Sequence, residues 1–222
     1  MLRRTVKWFT TPTHLEPRRT RMRDSRIFYI LLSMVLMAGC SSRSLRNFNL
    51  PGDNVVEDNY SMSSFIPPDF IVPGKLETKE FRLRMLSIDD VDKDFEAVTS
   101  SSDHLSKVWP ETGWPAGLTL RQNLIDLGWH EKEFQNRTSF AYTMVTLDES
   151  KVLGCVYFFP SRKASHDVEI FMWVRASELA KGLDQRLFDV VQSWTASEWP
   201  FKNPAYPGRS VSWENWRRLP EL

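Results

Sequence analysis

The chain has 222 residues, 41% of them hydrophobic, enough for one buried core with a tail and short for two full domains. Its formal charge is +1, but eight Lys or Arg fall in the first 26 residues against Glu16 and Asp24, leaving 21 basic and 26 acidic groups for the rest. That mildly acidic remainder offers no clustered cations for phosphates, which argues against a nucleic-acid partner. Two cysteines, Cys40 and Cys155, and four scattered histidines have no ligand spacing, which argues against a metal site or a disulfide framework.

In chain order, Arg23 and Arg26 precede an apolar stretch, 27–37, that runs into Ala38, Gly39 and Cys40, followed by Ser41 and Ser42. The stretch is short for a transmembrane helix, which needs about 20 residues, and has the dimensions of a signal-peptide core. The pattern resembles a bacterial lipoprotein signal. That resemblance implies a signal over 1–40, lipid on the Cys40 thiol and a membrane-anchored place in the cell envelope, with Ser41 favouring the outer membrane in enteric-type bacteria. Met22 is an alternative start; if the leader is spurious, the domain is cytoplasmic. Residues 41–78, rich in Ser, Asn, Asp and Pro, read as a flexible tether along which Phe65, Ile66, Phe70 and Ile71 can dock locally.

The folded part is expected over 79–222. Phe81, Leu83 and Met85 alternate with Arg82 and Arg84, the period of a half-buried strand. Ser87, Asp89 and Asp90 then open a helix with Val91, Phe95 and Val98 on one face, ended by the serines at 100–102. After a loop over 109–117, Thr119 and Gln122 make a capping-box pair for a second helix, with Leu120, Leu124 and Leu127 at helical spacing. Runs at 140–147 and 151–159, separated by Asp148, Glu149 and Ser150, read as a hairpin, and 168–174 as a third strand of this group. Cys155 lies within the second run and reads as a small buried hydrophobe. Helical spacing returns over 184–199 through Leu187, Val191 and Trp194, and strand character is expected near Val211.

Residues 168–187 read VEIFMWVRASELAKGLDQRL. Together with the element order, this stretch resembles the ribosomal-protein branch of the GNAT (N-acetyltransferase) superfamily. Members of that branch carry a Glu near the start of a strand, an aromatic-Val pair near its end, and an Arg/Gln-x-x-Gly-x-Gly/Ala loop leading into a helix. Glu169, Trp173 and Val174 stand at matching positions, and the signature begins at Leu179, has Gly182 as its middle glycine and ends on Asp184. The resemblance implies an α/β fold, a GNAT-like mixed sheet flanked by helices, with an abbreviated C-terminal end. It implies acetyl-CoA held around Trp173, Val174, Lys181, Gly182, Leu183, Asp184 and Gln185, with Glu169 as general base and Tyr157, or else Tyr206, as general acid.

Two departures stand out. Leu179 replaces a polar residue, and Asp184 replaces a Gly or Ala at the helix start, where a carboxylate can cap the helix itself. At about 4 Å it would repel a phosphate by roughly 4 kcal/mol at an effective dielectric near 20, with Lys181 and Arg186 as offsets. Two functions follow as expectations. One is transfer of an acyl group from acyl-CoA to an amine on a small molecule or peptide. The other is a catalytically inactive GNAT-like binding module on a lipid anchor, since acetyl-CoA is a cytoplasmic metabolite that an exported domain would not meet.

Overall fold

The computed structural model describes residues 65–222 except Glu111. The leader, Cys40 and the first part of the expected tether lie outside the described residues. Six strands form one sheet in sequence order: β1 (Lys75–Glu77), β2 (Arg82–Met85), β3 (Phe140–Val145), β4 (Val152–Pro160), β5 (Val168–Val174) and β6 (Pro204–Ala205). Neighbours are antiparallel except β5 and β6, which run parallel. A 3-10 turn at Ile88–Asp90 leads into α1 (Val91–Thr99), followed by α2 (Ser102–Val108) and α3 (Leu120–Gln135). The short α4 (Ala176–Leu179) and the long α5 (Leu183–Glu198) connect β5 to β6, and α6 (Trp213–Arg218) follows. The expected α/β class, a mixed sheet flanked by helices, is the fold observed.

Alternation decides the layers. Phe140, Tyr142 and Met144 of β3 and Val168, Ile170, Met172 and Val174 of β5 pack with Leu183, Leu187, Val191 and Trp194 of α5. The intervening Ala141, Val145, Cys155 and Trp173 pack with Ala97 and Val98 of α1, Leu105 of α2 and Leu127 of α3. Both faces are therefore covered, which is why β3 is buried along its whole length and why β3 and β4 read as nearly continuous apolar runs. A strand covered on one face only would alternate.

The structure departs from the sequence expectations in four places. The sheet begins at β1, ahead of residue 79, and Ile66 is 1% exposed in the α5-side core. Tertiary hydrogen bonds hold this stretch, Tyr142 Oη donating to the Pro73 carbonyl at 2.6 Å and Arg137 to the carbonyls of Pro67 and Phe70 at 2.9 Å. Ile71, also expected to dock, is 88% exposed. The serine run ends α1 as read, with Ser100 as its C-cap, but it also starts the unexpected α2, whose one buried residue is Leu105. Near Val211 there is only an isolated bridge to Pro207, and Ser212 then caps α6 by accepting from Asn215 N.

The fourth departure is the face of α3. Its capping box forms as read, with Thr119 Oγ1 accepting from Gln122 N at 3.2 Å and Gln122 Oε1 accepting from Thr119 N at 3.0 Å. Leu120 and Leu124 nevertheless point outward, 43% and 42% exposed, while Asn123 and Leu127 are buried. Asn123 is drawn in because its Nδ2 donates to the buried Asp94 carboxylate at 2.9 Å. A buried carboxylate left without that donor would cost more than the exposure of two leucines.

Candidate active site

The site grows out of the way β5 and β6 part. They pair only through Val168 with Pro204 and Glu169 with Ala205. Beyond that, β5 runs on to Val174, while the chain after Ala205 turns back on itself, so among the described residues no strand lies beside the edge of β5 from Ile170 onward. At the far end of β5 the loop leads into α5, a sixteen-residue helix whose first N–H groups have no carbonyl partner within it. Glu169 stands where the strands part, and five residues at about 3.3 Å each separate it from the end of β5, roughly 17 Å.

Gly182 holds the left-handed conformation, φ 71°, that turns the chain into α5. A side chain there would be strained, which explains the glycine without invoking a ligand. The loop before it is more tightly coiled than an open anion cradle. The N–H groups of Lys181 and Gly182 donate to the carbonyls of Glu178 and Leu179, closing the turn of α4. Lys181 and Gln185 are exposed, Lys181 bonding to Glu178 at 3.0 Å and Gln185 to Asp189 at 2.8 Å. Leu183 is buried in the α5-side core, as is Val174, and Trp173 is buried on the opposite face.

Asp184 does not cap the helix. Its carboxylate receives the fork of Arg209, from Nη1 to Oδ2 at 2.9 Å and from Nη2 to Oδ1 at 2.7 Å. The expected offsets lie elsewhere: Arg186 bonds to Glu80 and to the Lys181 carbonyl, both at 2.7 Å. The neutralising cation is therefore Arg209, 25 positions away in sequence. Between these groups lies a cavity of about 210 Å³ lined by Phe171 and Met172 of β5, His104 and Lys107 of α2, Asp184, Arg209 and Trp213 among others. His104, Lys107, Arg209 and Trp213 carry no local sequence signal for this role. The Pro207-Gly208 pair marks a turn, but where that turn aims its neighbours is a tertiary matter.

Glu169 and Tyr157 share one face of the sheet. Glu169 pairs across with Phe159 and Tyr157 with Phe171, which makes Glu169 and Tyr157 diagonal neighbours, about 7–8 Å between Cα atoms. Burial raises the Glu169 pKa above the ordinary carboxylate value, while the Arg162 N–H at 2.9 Å and Ser161 Oγ at 3.3 Å, both donating to Oε1, hold it partly down. The loop that supplies those donors is stitched to the last residues of the sequence. Lys163 Nζ donates to the Leu219 carbonyl at 2.9 Å, Ala164 N to the Pro220 carbonyl at 3.1 Å, and Leu222 N to the Arg162 carbonyl at 2.8 Å. Burial also pushes the Tyr157 hydroxyl well above its usual range, and its oxygen accepts from Trp173 Nε1 at 3.4 Å. Tyr206 lies on the α5 side, its ring 5.3 Å from that of Phe188, and is not brought together with Glu169's face.

One ionisable group on the Glu169 face was not singled out from the sequence. Asp94 is 4% exposed, accepts from Asn123 Nδ2, and lies 3.7 Å from the Cys155 thiol. Burial pushes its pKa up to about 6. The Cys155 thiol is itself pushed well up by burial, the behaviour of an inert packed thiol. Among the described residues no group of three His, Cys, Asp or Glu side chains could hold a metal.

No protein-family profile and no curated protein matches the chain. Solved structures do. A ribosomal-protein-S5-alanine acetyltransferase from Vibrio fischeri is similar at 17% identity, over 55% of this chain and 66% of that one, with a TM-score of 0.44. An acetyltransferase from Salmonella typhimurium that modifies the N-terminal serine of ribosomal protein L7/L12 is similar at 14% identity, over 54% and 65%, with a TM-score of 0.42. The microcin C7 self-immunity acetyltransferase, solved with acetyl-CoA and AMP, is similar at 14% identity, over 56% and 68%, with a TM-score of 0.43. This chain thus spans about two thirds of each, and the likeness is one of backbone fold, without bearing on which residues act.

Proposed function

We propose that the domain binds an acyl-CoA along the open edge of β5 and transfers the acyl group to an amine, with Glu169 taking the amine's proton. The observation that carries this reading is the two-residue pairing of β5 with β6. Among the described residues it leaves a strand edge with no strand beside it, leading from a helix start, suited to an anion, to a carboxylate whose pKa burial has raised above its ordinary value. A ligand touching both ends must be long and extended, carry phosphate at one end and react at the other. The amine would attack the thioester carbonyl as its proton passes to Glu169, and the thiolate leaves with a proton. Tyr157 is the nearer tyrosine on that face; burial makes its hydroxyl a weaker acid than a thiol, so it can hydrogen-bond the leaving thiolate while the proton comes from solvent.

Calorimetric titration of the full chain with acetyl-CoA tests binding, with a Kd on the order of 10–100 μM expected. Thiol release in the presence of amine acceptors tests turnover. Glu169→Gln should lower kcat/KM by about 10²- to 10⁴-fold while leaving acetyl-CoA affinity within a factor of two. Absence of binding at millimolar acetyl-CoA would remove the reading.

A second reading, binding without turnover in a lipid-anchored module, is favoured by the coiled 176–182 loop and by the Asp184–Arg209 pair across the cleft. It predicts that cells fed an alkyne-tagged fatty acid label the wild-type protein and not Cys40→Ala, and that acetyl-CoA is not consumed.

A further inference from the structure

The turn after β6 is built to aim one side chain. Arg209 N and Val211 N both donate to the Tyr206 carbonyl, at 3.1 and 3.3 Å, and Gly208 N donates to the Val211 carbonyl at 2.7 Å. Gly208 has φ +78°, and a Cβ there would stand 2.6 Å from Trp213 Nε1, so the indole of α6 closes over a position that only glycine fits. From this turn the Arg209 guanidinium crosses the gap that β6 has left. Nη2 reaches the Met172 carbonyl on the open edge of β5 at 3.3 Å as well as Asp184 Oδ1, and the Phe188 ring lies 5.4 Å away on one side. One side chain thus occupies the strand edge that an extended ligand needs and also the carboxylate that would repel a phosphate.

The surroundings are not neutral toward a ligand. Lys107 and His104 of α2 line the same cavity. The His104 Nε2 is buried with no hydrogen-bond partner among the described residues, and burial lowers the ring's pKa, which favours the uncharged form, a donor of one hydrogen bond. With Asp184 taken by Arg209, the remaining charged side chain lining the cavity among the described residues is Lys107.

We propose that Asp184 holds Arg209 in reserve for a phosphate-bearing ligand, and that the arriving phosphate takes the guanidinium from the carboxylate. The same exchange withdraws Nη2 from the Met172 carbonyl and frees the β5 edge for the amide groups of the ligand's arm. Phosphate recognition and opening of the edge are one event, so a neutral pantetheine-like arm without phosphate gains little. This deepens the acyl-CoA reading for the ligand's identity; the ion-pair exchange itself needs only an anion.

The test is calorimetric titration of the full chain and its variants with coenzyme A, pantetheine and inorganic pyrophosphate. Asp184→Asn releases Arg209 and should tighten coenzyme A and pyrophosphate by about five- to tenfold. Arg209→Ala should weaken both by at least about tenfold, with Arg209→Lys between, because an ammonium supplies charge without the fork. Pantetheine should bind weakly and respond little to Asp184→Asn. If Asp184→Asn weakens coenzyme A as Arg209→Ala does, the pair is a structural brace and the proposal is overturned. Should a variant fail to fold, the wild-type Arg209 Nε–H resonance supplies the answer: a shift on adding pyrophosphate supports the exchange, and an unmoved resonance at saturation overturns it. Pyrophosphate binding with this variant pattern, but no thiol release from acetyl-CoA, would end the transferase reading and leave this one standing. Turnover unaffected by either substitution would do the reverse, and no binding of any anion by wild type or Asp184→Asn would end both.

Discussion

The two faces of the sheet share their strands and differ in what they bury. On the α5 side Tyr142, Phe158, Trp194 and Trp199 meet edge-on or stacked, with ring centroids 4.6 Å apart for Phe158 and Trp199 and 5.1 Å for Tyr142 and Trp194. The α1–α3 side places Asp94, Asn123 and Cys155 at the same depth. Half-buried Trp109, Tyr157, Phe159 and Phe171 lie toward Glu169. The first face gains its stability from apolar area and ring packing and has little that can titrate. The second accepts a buried carboxylate, and with it a pKa that folding has moved. Both sides bury apolar side chains, but the buried carboxylate lies on the α1–α3 side, and the two meet at β5, where Met172 faces one core and Phe171 and Trp173 face the other.

The sharpest way to break this division is to empty the dry side. Trp194→Ala should cost about 3–5 kcal/mol in urea denaturation, while acetyl-CoA affinity of the folded protein stays within twofold. A comparable loss of affinity would show that the two faces are not separable.

Asp94 gives the next largest effect, and its sign can be worked out. Its folded pKa of about 6 lies above the unfolded value of 3.8, so the folded state holds the proton more tightly. That contribution is fully present below pH 4 and is lost as pH rises through 6, an amount of about 3 kcal/mol at most. Asp94→Asn keeps the shape without the charge. It should therefore be about 1–3 kcal/mol more stable than wild type at pH 8 and close to it at pH 4. Urea midpoints at the two pH values check this, and equal differences at both would place the charge elsewhere.

The smallest effect, that of Leu124→Ala set against Leu127→Ala, sharpens the boundary of the polar side. Leu127→Ala should cost about 2–5 kcal/mol, and Leu124→Ala, one turn earlier on the outer face of α3, within about 0.5 kcal/mol. The ratio reports which face of α3 meets Asp94.

What could be read from the sequence follows the range of the interactions involved. The β3–β4 hairpin, β5 and α5 were legible because their apolar patterns are local and long, and the α3 start because Thr119 and Gln122 satisfy each other three residues apart. The buried face of α3 was not, because it depends on Asn123 meeting Asp94 across 29 positions. In the candidate site, Gly182 and Glu169 were visible as residue types in a spacing. Arg209 was not, since nothing near it in sequence tells that it will meet Asp184. Ile66 reads as docking locally, but that it enters the main core depends on distant residues, which a short apolar pair beside prolines cannot announce.

The stitching of residues 219–222 to the 161–164 loop has a practical corollary. An affinity handle grafted after Leu222 would tug on Arg162, and through its backbone N–H on the orientation of Glu169. Purification tags belong ahead of the domain, and an inert preparation carrying one at the other end says nothing about the untagged protein.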